Sequence, residues 1–197
     1  EILTTNTFSS GFNSDNFQQD IIYSLIIDID GSVNLNSYEG SGYIIDIQNR
    51  PGRVGFPEVI ESKIGNPRLV KFREIETDRL LQVKGWDLKL GNQTFWNLYL
   101  MSFGSNINLN NLNLINTEII GTGDINMGKN LNAGDIFISG NFNIYVDTSL
   151  PIVVIGSAEV PAGWIDATIG YLNQTNENYK FKVIVEEGSN VVFQNGE

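Results

Sequence analysis

The sequence predicts an all-β fold: a right-handed, single-stranded β-solenoid with rungs of about 16–18 residues and a cap at each end. Three observations predict it. First, the tetrad polar–apolar–Asn/Glu–apolar occurs four times in the second half, as Asn106-Ile107-Asn108-Leu109, Asp124-Ile125-Asn126-Met127, Asn141-Phe142-Asn143-Ile144 and Ser157-Ala158-Glu159-Val160. The leading apolar residues stand 18, 17 and 16 apart, and Gly104, Gly123, Gly140 and Gly156 precede the tetrads by one or two residues. Second, residues 106–116 hold six asparagines interleaved with Ile107, Leu109, Leu112 and Leu114, the pattern of an ordered ladder rather than a loop. Third, helical periodicity is scarce, while alternating β-branched residues are common.

Taken in order, the segment from Thr4 to Gln19 is rich in Ser, Asn and Thr and reads as a leader or capping strand. QQDIIYSLIIDID follows as a strand, with Leu25, Ile27 and Ile29 on one face and Asp28 and Asp30 on the other. Gly31-Ser32-Val33-Asn34-Leu35-Asn36 echoes Gly104-Ser105-Asn106-Ile107-Asn108-Leu109. NPRLVKFREIETDRLLQVKG has the charge density of a helix, but reads better as strand–turn–strand. Val70 and Phe72 lie on one arm, Leu81 and Val83 on the other, and ETDR makes the turn. Residues 1–85 thus supply the leader, early rungs and a basic hairpin excursion, and 86–197 the solenoid and its C-terminal capping strands, as two parts or one continuous domain. YKFKVIVEEGSNVVFQNGE is the expected C-terminal cap, with Gly188-Ser189-Asn190-Val191-Val192 as a late echo of the repeat.

GTGDINM, residues 121–127, invites a phosphate- or calcium-binding reading. A phosphate-binding loop needs a following helix, and no helical pattern follows Asp124. Calcium solenoids repeat their acids, whereas the slot of Asp124 is not acidic at 106, 141 or 157. The stretch reads as a β corner, where glycine supplies positive φ and asparagine tolerates it.

Composition narrows the chemistry. The 197 residues contain no cysteine and no histidine, which excludes disulfides, thiolate chemistry, imidazole zinc sites and His-dependent triads. The net charge of −11 is uneven: residues 1–49 carry seven acids and no base, while residues 50–89 carry nine of the twelve bases against six acids. That balance argues against nucleic acid as a partner. No run of about 18 apolar residues is present to span a membrane as a helix. The sequence opens at Glu1 rather than Met, as expected of a processed or trimmed chain, in which a removed signal peptide or anchor would leave no mark.

WNLYLMSFGSNINLNNLNLINTEIIGTGDINM, residues 96–127, resembles the toast-rack type of β-solenoid domain of bacterial cell-wall-active antibiotic-response proteins and related putative adhesins. The order of aliphatic strand, small-residue corner at Phe103-Gly104-Ser105, Leu-rich ladder at Asn111 to Leu114 and GxGD corner at Gly121 to Asp124 carries the resemblance. Val160 to Trp164, VPAGW, is similar to the family's strand–proline–aromatic crossing. The resemblance covers about residues 86–165, extends loosely over 20–48 and does not reach 50–85. It implies a place in or on the bacterial cell envelope, with a sensing, cell-wall stress-response, scaffolding or adhesive role, and it carries over no catalytic residue.

The candidate ligand-binding residues are Trp164, Trp86 and Tyr171, which with Trp96 and Tyr99 would make a stacking platform for sugars. Packing is the favoured reading for each tryptophan: Trp96 alternates with Leu98 and Leu100, as a core residue does, while Trp164 follows the turn Pro161-Ala162-Gly163, a signal of exposure. The acids Asp28, Asp30, Asp46, Asp124, Asp135 and Asp147 are scattered and read as solubilising surface charge. No catalytic residue, metal site or cofactor is expected. The leading functional reading is a non-enzymatic envelope module with a protein partner. The alternatives are a glycan-binding adhesin, with cell-wall glycan as partner, and a solenoid hydrolase acting on polysaccharide.

Overall fold

The computed structural model describes residues 4–9, 22–29, 31–49, 58–62, 65–73, 85–128, 130–156, 181–185 and 188–194. The described residues are all-β, with fourteen strands and no helix, in one curled sheet. The strands are β1 (Thr4–Ser9), β2 (Ile22–Asp28), β3 (Val33–Tyr38), β4 (Tyr43–Asn49), β5 (Glu58–Glu61), β6 (Arg68–Arg73) and β7 (Gly85–Gly91). They continue as β8 (Phe95–Asn108), β9 (Asn113–Met127), β10 (Asn132–Ala133), β11 (Ile136–Asp147), β12 (Ile152–Gly156), β13 (Phe181–Val185) and β14 (Asn190–Gln194).

The long strands β8, β9 and β11 bend at small residues, so each belongs to two walls of the sheet. Their first halves lie in wall A, ordered β5-β6-β2-β8-β9-β11-β13-β12. Their second halves lie in wall B, ordered β1-β4-β7-β3-β8-β9-β11-β14. The long strands pair in parallel, as do most of their neighbours, while β4 pairs antiparallel with β1 and with β7, and β5 pairs antiparallel with β6.

Strand alternation sends every second side chain inward. In wall B, Ile45, Leu88, Leu35, Ile107, Ile125 and Ile144 form a buried ladder across neighbouring strands. In wall A, Phe72, Ile27, Leu100, Ile119, Ile138 and Val185 do the same. The two inner faces share one core. Phe72 of wall A meets the edges of Tyr43 and Trp86 of wall B at centroid separations of 6.0 and 5.9 Å.

The register corrects the expected repeat. Ile107 stands opposite Ile125, an offset of 18, but Ile125 stands opposite Ile144 rather than Phe142, an offset of 19. The corner sets this. Gly140 sits on Gly121, and Gly121 sits on Ser102; a Cβ at Gly140 would lie 2.1 Å from the Gly121 carbonyl oxygen. Gly104 does not share this slot. It lies in the register shift between Ser102 and Ser105, with open space where its Cβ would be. The fourth tetrad, from Ser157, lies outside the described residues.

The echoes prove to be neighbours: Asn34 and Leu35 pair with Asn106 and Ile107, and Asn190 with Asn143. Of the expected strand–turn–strand arm, only the first strand lies among the described residues. β6 buries Val70 and Phe72 but pairs antiparallel with β5 and parallel with β2, so it joins the main sheet. Leu81, Val83 and the ETDR turn lie outside the described residues. β13 is not terminal in wall A, because β12 lies on its far side.

Candidate binding face

The sequence candidates divide between the core and unplaced segments. Trp86 is 1% exposed, and its indole Nε1 has no hydrogen-bond partner among the described residues. Inward alternation on β7 points the ring at Phe72, so it offers no stacking surface. Trp96 is also buried, and its Nε1 donates to the Gly91 carbonyl at 3.1 Å. Trp164 and Tyr171 lie outside the described residues, as does Asp30. Among the described residues, Tyr99 is the one named aromatic on an outer face.

That face is the outside of wall A. Two side-chain rows cross it, running from strand to strand. One row holds Ser24, Asn97 and Asn116 in register, with Asp135 next, at the entry to β11. It is tied together by direct bonds: Asn116 Nδ2 donates to Asn97 Oδ1 at 2.8 Å, and Asn97 Nδ2 donates to Ser24 Oγ at 3.2 Å. Asp135 Oδ1 accepts the Lys182 backbone N–H at 3.0 Å.

The other row holds Ile26, Tyr99, Glu118, Phe137 and Ile184. Phe137 is 49% exposed, with Phe95 and Phe103 nearby in the sequence of the same face and corner at 41% and 42%. Burial, and then Glu118 and Asp28, raises the Tyr99 phenol above its ordinary value, so the hydroxyl keeps its proton. Between the rows runs an open groove of about 570 Å³. A smaller cleft of about 260 Å³ lies near the corner, among Ser32, Asn34, Asp87 and Asn106.

The outside of wall B carries a polar row in register: Thr7, Asp46, Asp87, Asn34, Asn106, Asp124, Asn143 and Asn190. Its acids are engaged. Thr7 Oγ1 donates to Asp46 Oδ1 at 2.6 Å, Asn34 Nδ2 to Asp87 Oδ1 at 2.9 Å and Asn143 Nδ2 to Asp124 Oδ1 at 3.0 Å. Asp46 and Asp87 are direct cross-strand partners, side by side on one face rather than opposed across a groove. Asp147 is buried and caps a turn, accepting the Ser149 N–H at 2.8 Å. Among the described residues, no cluster of three or more acidic side chains is placed to hold a metal ion, and no helix is long and apolar enough to cross a membrane.

Sequence reading missed Asn97, Asn116, Glu118 and Phe137 as a surface. The signal was a constant interval of 19: Asn97, Asn116 and Asp135 form one series, and Tyr99, Glu118 and Phe137 the other. The contribution of β2, 73 residues away in register, has no such local mark.

Among solved structures, the chain is similar to a putative cell adhesion protein from Clostridium sporogenes, with a TM-score of 0.63 at 12% sequence identity, over 98% of this chain and 100% of that one. The likeness is one of fold. Putative adhesins from Parabacteroides distasonis and Parabacteroides merdae match at TM-scores of 0.36 and 0.24, each at 12% identity, covering 79% and 98% of this chain and 60% and 92% of theirs. No protein-family model matches the sequence, and comparison with curated proteins finds no match.

Proposed function

We propose that the chain is a non-enzymatic binding module of the bacterial cell envelope or cell surface, adhesive or scaffolding in role. The observation that carries the reading is the outer face of wall A, where exposed aromatic and amide side chains stand in register on a hydrogen-bonded sheet. A β-sheet surface of this kind holds its side chains at fixed spacing before any partner arrives, which lowers the entropic cost of binding. The fold shared with a putative cell adhesion protein supports the same reading.

The proposal extends to the architecture. The offset of 18–19 residues between β8, β9 and β11 supports a right-handed, toast-rack-like solenoid over those strands. The pairing of β2 and β3 with β8 supports one continuous domain rather than a division near residue 85. Trp164 and Tyr171 stay as proposed ligand contacts, while Trp86 takes a packing role.

The test is retention of purified chain on isolated envelope material, intact and protease-stripped. Saturable retention is expected, and its persistence after stripping separates a cell-wall partner from a protein partner. Retention no greater than that of an unrelated acidic β protein refutes the proposal.

A further inference from the structure

We propose that the groove on the outer face of wall A binds a neutral, linear glycan running across the strands, with Tyr99 and Phe137 as apolar platforms and Asn97 and Asn116 as hydroxyl partners. The inference rests on the binding-module reading above and names its ligand.

The groove matches a sugar chain in three respects. Its two sides differ in chemistry. The Tyr99–Glu118–Phe137 row offers aromatic faces, and the Asn97–Asn116 row offers amide donors and acceptors. A pyranose ring is divided in the same way, with apolar C–H faces and a polar hydroxyl rim. Aromatic rings supply large contact area at small conformational cost.

The spacing also fits. Tyr99 and Phe137 are two strands apart, roughly 9.5 Å at the usual strand separation. That is near the length of a disaccharide unit. The row from Ile26 to Ile184 crosses five strands, or roughly 19 Å, enough for several sugar units.

Charge selects among glycans. Glu118, between the two aromatic residues, and Asp135, next in the amide row, line the groove with no base among its lining residues. Lys71 and Arg73, beside Ile26 and Asp28, and Lys182, beyond Asp135, stand at its two ends. Carboxylates accept hydroxyl hydrogen bonds well and repel anionic chains, and the whole chain carries −11. A neutral polysaccharide fits; a uronate- or sulfate-bearing one does not. The amides are already oriented. Asn116 spends one Nδ2 hydrogen on Asn97 Oδ1, and Asn97 spends one on Ser24 Oγ. Each amide nitrogen keeps a second hydrogen for a ligand, fixed in direction by the bond it already makes.

The experiment uses the full chain in calorimetric titration against neutral probes: β-1,4-linked glucose and N-acetylglucosamine hexamers and a linear mannan. Polygalacturonate is the anionic control. Tyr99→Ala, Phe137→Ala and Asn116→Ala are compared with wild type, with circular dichroism confirming the fold of each. Saturable binding of at least one neutral probe is expected, weakened tenfold or more by each aromatic substitution, with no uptake of polygalacturonate. Lack of binding to every neutral probe overturns the proposal, as does binding that survives both aromatic substitutions.

Envelope retention of the same variants separates this failure from failure of the broader reading. Retention by the wild type and by Tyr99→Ala alike leaves the module reading standing and removes this groove. Retention lost in Tyr99→Ala without any glycan binding assigns the groove to a protein partner and overturns the glycan.

Discussion

Replacing Gly121 with alanine should be among the most damaging methyl additions available in this chain. The residue sits at φ +131°, a conformation that side chains rarely adopt, and its Cβ would lie 1.7 Å from the Ser102 carbonyl oxygen. Real Cβ contacts essentially never fall under 3.0 Å, so the shortfall is 1.3 Å, and the obstacle is backbone already paired into a neighbouring strand. The strained backbone costs about 1–3 kcal/mol, and forcing extra volume into a packed site costs a similar amount, about 1–3 kcal/mol. Together they remove roughly 2–6 kcal/mol from a stability that for folded domains is typically about 5–15 kcal/mol.

Gly104→Ala is the matched control. Its φ is +66° and no atom lies within 4 Å of the added carbon. Only the left-handed backbone is penalised, at about 1–2 kcal/mol, partly offset by about 0.4–1 kcal/mol from a stiffer unfolded chain. Urea unfolding followed by circular dichroism measures both variants, with Gly140→Ala expected near Gly121→Ala because its Cβ would lie 2.1 Å from a carbonyl oxygen. Equal costs for Gly121→Ala and Gly104→Ala, or a cost below about 1 kcal/mol for Gly121→Ala, would refute the stacking of the corner.

Two further outcomes are expected. Thr117 is buried in the column between Leu98 and Ile136, and its hydroxyl has no partner among the described residues, so Thr117→Val should stabilise the fold by about 1 kcal/mol; a lower urea midpoint would show that the hydroxyl is satisfied. Burial raises the phenols of Tyr23 and Tyr43 above 10.0; at Tyr23 the Arg68 guanidinium offsets part of the rise, and Glu61 adds to it at both. The folded chain therefore holds protons that the unfolded chain releases, so stability is intact below pH 10 and falls above it, by up to about 1.4 kcal/mol per pH unit for each tyrosine. Urea midpoints at pH 8, 10 and 11 measure this, and a midpoint unchanged at pH 11 contradicts it.

The face of each residue was legible in the sequence. Ile107, Leu109, Leu112 and Leu114 are all buried, as their alternation requires, and Leu25, Ile27 and Ile29 likewise. Which strands adjoin was legible only where the chain returns at once, as from β8 to β9. Parallel partners brought together from afar leave no turn chemistry to read. β6 shows this: beside β5, which precedes it, its partner is β2, 45 residues back in register. Trp86 shows the same limit at the site. Its inward direction follows from β7 alternation, but β7 itself is defined by β3 and β4, both distant in sequence.

The misplaced repeat follows from strand physics. A slip of two residues keeps every inward side chain inward, because the side-chain period is two. Pairing Ile125 with Phe142 or with Ile144 is therefore equivalent for the core. Other interactions must choose the register, and two sets do so here. The corner admits Gly140 over Gly121 because Gly140 carries no Cβ to meet the Gly121 carbonyl oxygen, as Gly121 carries none to meet that of Ser102. The amides choose as well: Asn116 donates to Asn97, Asn130 to Asn111, Asn132 to Asn113 and Asn143 to Asp124, every pair 19 residues apart. A two-residue slip between neighbouring strands would break the bonds that join them, at about 0.5–1.5 kcal/mol for each bond lost. The rows that form the proposed binding face are thus part of what fixes the register. Asn97 and Asn116 align the strands through one amide hydrogen and leave another facing solvent, so the ladder that orders the fold also orders the surface it presents.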